Sequence, residues 1–188
     1  MKRFLLATIL SLVFLSACDD GAVSDAPTRG ASNSENQRVF DQAHWTKLVN
    51  GHPCEWWPQA RLEEEYSATL NFVAERTKQE TTCAWQNEAG ETVLRATIHI
   101  WDSSEALNHE KNGQFGEVAS GSGLFDLIAS TPTLSAILRK DRGRVYIFAN
   151  SDEEAVSILL SGNNRRQAAQ EEKQKMRESL IRLTKALL

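Results

Sequence analysis

Histidine, cysteine and serine most often carry catalysis or hold metals, and this chain has few of them in a useful arrangement. No His-Glu-x-x-His, Cys-x-x-Cys or Ser-x-x-Lys motif occurs. Gly121-Ser122-Gly123 lacks the spacing of a Gly-x-Ser-x-Gly elbow, and no phosphate-binding Gly-Lys-Ser or Gly-Lys-Thr follows the nearby glycines. The sequence therefore predicts no catalytic residue, metal site or cofactor, and Asn112 to Ser122 is expected to be a mobile loop.

The four histidines show no metal-binding motif; they are His44, His52, His99 and His109. His109, Glu110 and Asp102 can approach one another around a short helix. A solvated helix surface is nevertheless a more common use of such residues than a metal site. His99 falls on the less apolar face of its predicted strand, so we expect a surface or second-layer residue rather than a general base.

The first 17 residues have the three parts of an export signal. A basic start at Lys2 and Arg3 precedes an apolar stretch from Phe4 to Leu15, and two small residues follow. The alternative is a membrane anchor that stays attached, but the apolar stretch is shorter than the ~20 residues that a spanning helix needs. We therefore predict that residues 1–17 are a cleaved signal peptide.

The end of this segment, Leu15-Ser16-Ala17-Cys18, resembles the lipobox of bacterial lipoproteins. The resemblance implies that the Cys18 sulfur receives a diacylglycerol thioether, that the chain is cut before Cys18, and that the new amino group is acylated by a chain such as palmitate. Because each buried methylene contributes about 0.8 kcal/mol, several chains anchor a protein firmly. A membrane partner through Cys18 is therefore expected.

Two acids, Asp19 and Asp20, come directly after Cys18. An Asp at this position resembles the signal that retains lipoproteins in the inner membrane of many Gram-negative bacteria. The alternative is that the acids simply begin a polar tether. We predict a location on the periplasmic face of the inner membrane, with the outer membrane as the alternative.

Removal of residues 1–17 takes away two of the 21 basic residues and leaves 171 residues with 19 basic and 25 acidic side chains. The formal net charge of the mature chain is then −6. Nucleic-acid binding depends on clustered Lys and Arg, so no nucleic-acid partner is expected. The length is enough for one domain with a hydrophobic core.

Cys54 and Cys83 are the two cysteines that remain once Cys18 is lipidated. In an oxidising compartment thiols normally pair, so we predict a disulfide between them. A redox-active pair is the alternative, but the two lack Cys-x-x-Cys spacing.

Three segments are expected: a signal peptide over 1–17, a lipidated and flexible tether over 18–38, and one disulfide-stapled domain over 39–188. The tether is rich in Asp, Ser, Asn, Gly and Ala and has too little apolar surface to fold. The domain begins with one helix up to Val49 and a second from Pro58 to Glu75. A long C-terminal helix from Asn164 to Leu188 places Met176, Leu180, Leu183 and Leu187 on one face.

Between these helices the pattern indicates two hairpin-helix units. The first pairs residues 81–86 with 91–101 and continues into a helix capped by Asp102. The second pairs 134–139 with 144–150, and Ser151-Asp152-Glu153-Glu154 reads as a capping box before a helix that ends at Gly162. The predicted fold is α+β, with about four antiparallel strands and helices on one face. The two units agree in order but not in identity, so duplication and ordinary packing both stay open.

Five tryptophans are many for a small domain. Trp56 and Trp57 are adjacent residues at a helix start, where side chains rarely both face inward, so they are a candidate binding surface. The alternative is a core cluster around the disulfide, in which Trp85 is also expected.

Pro53-Cys54-Glu55-Trp56-Trp57-Pro58, a helix, and then Cys83-Ala84-Trp85 resemble a domain-of-unknown-function family of secreted actinobacterial lipoproteins. The likeness covers about Asn50 to Leu160, although Gly51-His52 stands where the family tends to have an acid. It implies a Cys54–Cys83 disulfide and an antiparallel sheet backed by helices, and it implies no activity.

These observations predict a non-catalytic binding or assembly lipoprotein of the cell envelope with an envelope protein as its partner. An inhibitor or immunity-type lipoprotein against a periplasmic enzyme is the alternative, since an acidic surface suits a basic target. An enzyme with an unrecognised site is the third hypothesis.

Overall fold

The computed structural model describes residues 42–115, 123–151, 154–163 and 168–188. Within these ranges, four α-helices and a short 3-10 turn at Pro53–Glu55 accompany seven strands. The helices are α1 Gln42–Asn50, α2 Gln59–Tyr66, α3 Ser104–Phe115 and α4 Gln170–Leu187. The strands are β1 Asn71–Arg76, β2 Glu80–Gln86, β3 Thr92–Trp101, β4 Phe125–Ser130, β5 Leu134–Arg139, β6 Arg144–Asn150 and β7 Ala155–Gly162.

All seven strands form one antiparallel sheet in the order β1-β2-β3-β7-β6-β5-β4. The α+β class and the C-terminal helix are confirmed, but the sheet is larger than the predicted four strands. The two predicted hairpins, β2–β3 and β5–β6, are present. In the first turn Gly90 takes a positive φ of 74°, and the Asn87 side chain accepts hydrogen bonds from the backbone of Ala89 and Glu91.

The predicted helix after Ser151 is wrong, because residues 155–162 form β7. The Glu154 N–H donates to the Ser151 hydroxyl at 3.1 Å, as a helix cap would require, but the Ser151 N–H also bonds the Glu154 carbonyl and closes a hairpin turn. Gly162 therefore ends a strand rather than a helix. A Cβ at Gly162 would lie 2.5 Å from Met176 Cγ, so glycine permits the close approach of α4.

The predicted helix from Pro58 to Glu75 is also too long. It ends at Tyr66, where Ser67 adopts a left-handed conformation with φ of 49°, and β1 follows. The apolar residues after Ser67 thus belong partly to a strand. Phe72 and Val73 are 53% and 47% exposed on this edge strand.

Two smaller expectations also need correction. The first turn of α3 is capped by Ser103, whose hydroxyl accepts from the Ala106 N–H at 3.1 Å, and not by Asp102. The loop predicted over Asn112 to Ser122 is wrong for its first four residues, because Asn112 to Phe115 belong to α3. Residues 116–122 lie outside the described part of the chain.

Helices cover both faces of the sheet, and not one face as predicted. The larger core lies on the face that packs against α1, the 3-10 turn, α2 and α4, where Leu180, Leu183 and Leu187 are buried as the stripe on α4 predicted. On the opposite face α3 covers β6 and β7, with Leu107 and Phe115 packed on Tyr146 and Phe148. The face of β2 and β3 beside α3 carries polar side chains such as Glu80, and Thr82 and Thr97 hydrogen-bonded to each other. With a strand following its second hairpin, the chain does not repeat a hairpin-helix unit.

An ion pair connects α2 to α4. The Arg182 guanidinium donates to both oxygens of Glu65, at 2.6 Å to Oε1, and the Ser179 hydroxyl donates to Oε1 at 2.6 Å. The hydrogen bond from Arg182 is the main cause that lowers the pKa of Glu65 below its ordinary value of 4.5. The pair therefore stabilises the docking of α4 most when Glu65 is ionised.

We expect Glu65→Gln to lower the free energy of unfolding at pH 7 by about 1 kcal/mol, since Arg182 is half exposed and solvent screens the pair. A carboxyl whose pKa is lowered by folding stabilises the fold above its unfolded pKa and loses that effect as the pH falls through the lower folded value. The difference between wild type and variant, measured by urea unfolding, should be full above pH 4.5 and shrink below it. Glu64→Gln, an exposed neighbour, is the matched control. A difference that stays constant down to pH 2 would contradict the assigned role.

Candidate functional site

The disulfide joins the 3-10 turn to β2. Cys54 and Cys83 are bonded with their Cα atoms 5.3 Å apart, which confirms the predicted pairing. Cys83 is fully buried, and the bridge lies beside the indoles of the larger core. The geometry is that of a structural bridge within a packed core.

Trp56 and Trp57 are 1% and 3% exposed, so the predicted binding surface at these residues is wrong. The ring centroids of Trp57 lie 5.8 Å from those of both Trp56 and Trp85, and each pair is edge-to-face. Trp57 Nε1 also donates to the Leu183 carbonyl at 3.1 Å. Both residues lie in the larger core, since Trp56 ends the 3-10 turn and α4 packs on Trp57, an arrangement that helical periodicity does not anticipate.

A groove lies between α3 and the neighbouring sheet face, and we call it the α3 groove. It encloses about 260 Å³. Its floor comes from alternate residues of β3, namely Thr97, His99 and Trp101, and its wall is formed by Glu110 and Gln114 of α3. Strands β2, β6 and β7 supply the remaining lining.

Glu80 and His99 face each other across β2 and β3. Glu80 Oε1 lies 3.2 Å from His99 Nδ1, within hydrogen-bond distance. The imidazole ring lies 4.4 Å from the Trp101 ring, whose Nε1 donates to the Ser157 hydroxyl at 2.9 Å. One row of hydrogen bonds and ring contacts thus holds the floor in place.

Two side chains complete the α3 groove. On the wall, Gln114 Nε2 donates to Glu110 Oε1 one turn earlier in α3. Tyr146 on β6 is only 8% exposed and packs edge-to-face on Phe115, with centroids 5.0 Å apart. Its hydroxyl forms no hydrogen bond with the described residues. The groove therefore combines carboxylates, aromatic rings and one unpartnered phenol.

Ser157 also lies directly opposite His99, so Glu80, His99 and Ser157 form a cross-strand row. The row differs from a catalytic triad in two respects. The Ser157 hydroxyl accepts from Trp101, and within the described chain it forms no hydrogen bond with His99. Strand β7 is bonded on both edges, so its backbone amides serve the sheet rather than a developing oxyanion. The arrangement is better suited to binding than to nucleophilic attack.

The other predicted site residues are placed as follows. His52 Nδ1 accepts from the Cys54 backbone N–H at 3.2 Å, which gives it a structural role at the 3-10 turn. His109 lies exposed on α3. No group of three or more His, Cys, Asp or Glu side chains in the described ranges is arranged to hold a metal ion. His44, although within α1, has no described side chain, and Cys18 lies outside the described residues.

The sequence patterns do not predict the α3 groove, because they predict a helix where the structure has β7. The available signal was the alternation of residues 155–162, in which Ser157, Leu159 and Ser161 share one face. None of the helices within the described ranges is both long and apolar enough to cross a bilayer. Comparison with protein-family models, curated proteins and solved structures gave no match to this chain. The resemblance to the actinobacterial lipoprotein family stays a prediction.

Proposed function

We propose that this chain is a lipid-anchored envelope lipoprotein whose folded domain binds another protein and does not transform a substrate. The observation that carries the proposal is Leu15-Ser16-Ala17-Cys18, placed after a basic start and an apolar stretch of signal-peptide length. Lipids on Cys18 hold the chain at the membrane, and residues 19–38 connect the anchor to the domain.

The disulfide supports export. A bond between Cys54 and Cys83 forms and persists in an oxidising compartment, whereas the cytosol keeps thiols reduced. Its position inside the core ties correct folding of the domain to the compartment outside the cytoplasmic membrane. A protein with both an export signal and a core disulfide acts in the periplasm.

Binding is proposed in preference to catalysis because, in the Glu80-His99-Ser157 row, the Ser157 hydroxyl accepts from Trp101 and is not hydrogen-bonded to His99. We expect a fluorophosphonate probe, which labels activated serines, to leave Ser157 unlabelled at neutral pH, since Trp101 occupies its hydroxyl. Ser157→Ala serves as the matched control for the labelled peptide. Labelling of wild type at Ser157, lost in Ser157→Ala, would contradict a non-catalytic role and favour an enzyme.

The second candidate is an inhibitor or immunity-type lipoprotein, favoured by the mature net charge of −6. Crosslinking of the tagged protein in intact membranes, followed by mass spectrometry, separates the two. Recovery of components of an envelope assembly supports the proposed binding module. Recovery of a single basic hydrolase supports the inhibitor, and recovery of no protein contradicts both.

The proposed location in the inner membrane rests on Asp19 and Asp20, which directly follow Cys18. A carboxylate so close to the acylated terminus can engage lipid headgroups and hold the anchor in the inner membrane. We expect the wild-type protein to band with inner-membrane markers on a density gradient, and Asp19→Ser with Asp20→Ser to shift most of it to the outer membrane. The matched control is Asp25→Ser, which removes an acid farther along the tether. Wild-type protein banding with the outer membrane would overturn the inner-membrane location.

A further inference from the structure

We propose that the α3 groove binds a lysine or arginine side chain presented by the protein partner. The inference rests on the proposed function and names the chemistry by which the domain recognises that partner. It follows from four features of the groove: its charge, its rings, its unpartnered phenol and its size.

The charge of the α3 groove is negative. Glu80 and Glu110 lie among its lining residues, which include no Lys or Arg. Glu80 contacts His99 Nδ1 through Oε1 alone, and its side chain is 53% exposed. Its charge therefore remains accessible to an incoming cation. Glu110 is bonded to the neutral Gln114 amide, which does not cancel its charge. Two carboxylates with no Lys or Arg among the lining residues favour a positively charged ligand.

The rings of the floor also suit a cation. An ammonium or guanidinium over an indole face is attracted by the ring quadrupole, and tryptophan is the best of the aromatic residues for this contact. Trp101 is held by its bond to Ser157 and by the His99 ring, so it needs little ordering on binding. The methylene stem of Lys or Arg would pack on the same apolar floor.

Tyr146 gives an independent indication of a ligand. It lines the groove, is more than nine-tenths buried, and its hydroxyl has no hydrogen-bond partner among the described residues. A phenol oxygen accepts hydrogen bonds. Lys and Arg are donor-only side chains, so either one can satisfy it.

The size of the groove limits the ligand. At about 260 Å³ it is smaller than the roughly 300–1,000 Å³ of most small-molecule sites, and a single side chain fills such a space better than a large cofactor does. A partner that inserts one basic residue at an otherwise polar interface matches the usual pattern of a central anchor surrounded by a polar rim.

The test uses the full mature lipoprotein, labelled with ¹⁵N and purified in an uncharged detergent. The probes are Nα-acetyl-lysine N-methylamide, the arginine equivalent, and the uncharged norleucine equivalent. The indole N–H signal of Trp101, identified by its loss in Trp101→Phe, reports binding. We expect the lysine and arginine probes to shift this signal saturably with millimolar affinity, and the norleucine probe to leave it in place.

Glu80→Gln combined with Glu110→Gln should weaken lysine binding about tenfold, as expected from the loss of two exposed ion pairs. Glu64→Gln combined with Glu105→Gln removes two exposed acids outside the groove and should leave the affinity unchanged. The remaining backbone signals report whether each variant keeps its fold.

The inference would be overturned by the absence of a saturable shift with either cationic probe, by an equal shift with norleucine, or by full affinity in the Glu80, Glu110 double variant. A stronger shift with chitotriose than with the lysine probe would overturn it in favour of a glycan site. Lipidation and partner crosslinking are measured separately. If the protein is lipidated and crosslinks to a partner but does not bind the lysine probe, the groove assignment is wrong and the proposed function stands.

Discussion

Removal of the disulfide by Cys54→Ala with Cys83→Ala should lower the free energy of unfolding by about 3.5 kcal/mol. The bridge closes a loop with a sequence separation of 29, and the chain-entropy model assigns this amount to a loop of that length. Such a loss is a large fraction of the 5–15 kcal/mol that stabilises typical domains. We expect a much lower urea midpoint for residues 19–188 exported behind a signal without a lipidation site.

Reduction provides the control for this experiment. Dithiothreitol should lower the midpoint of the wild-type domain toward that of the double variant and leave the double variant unchanged. Cys83 is fully buried beside the packed indoles, so the native bridge should resist mild reductant until the domain opens. Rapid alkylation of both thiols in the native, unreduced protein would contradict the bridge.

The second large expected effect is a change in the cellular location of the protein when Cys18 is replaced. Cys18→Ala removes the only thiol that the lipobox resemblance offers for lipidation, so we expect nearly all of the variant to stay as an uncleaved precursor or to be mislocalised. Immunoblots of fractionated cells measure this, because the precursor is longer by the 17-residue signal.

Ser16→Ala is the matched control, since it keeps a small residue before Cys18 and should be processed and anchored as in the wild type. Normal processing and membrane anchoring of Cys18→Ala would show that the anchor is not at Cys18.

Local patterns in the sequence predicted the elements whose signals are local. The β2–β3 and β5–β6 hairpins have short turns with strong residue preferences, and the stripe of α4 follows helical spacing. The disulfide followed from export and cysteine number. These features depend little on what the rest of the chain does.

The errors arose where distant residues decide the outcome. The hydrogen bond from the Glu154 N–H to the Ser151 hydroxyl is compatible with a helix start and with a hairpin. Pairing with β3 and β6 makes residues 155–162 a strand. Trp57 is buried against α4, more than 100 residues later, where its Nε1 donates to the Leu183 carbonyl. Local propensity carries no information about such contacts.

The α3 groove was missed for the same reason. Its floor joins Trp101 to Ser157, which are 56 residues apart, and its wall belongs to a third element. Once β7 is placed beside β3, the acids, rings and phenol become neighbours. A site built across strands is therefore hidden until the strand order is known.

The most direct test of the central claim is the mass of the N-terminal tryptic peptide of the mature protein, residues 18–29, taken from the membrane fraction. We expect this peptide to begin at Cys18 and to carry a diacylglyceryl group on sulfur and an acyl chain on nitrogen. A chain that begins at Met1, or a peptide with an unmodified Cys18 thiol, would contradict a lipid-anchored protein.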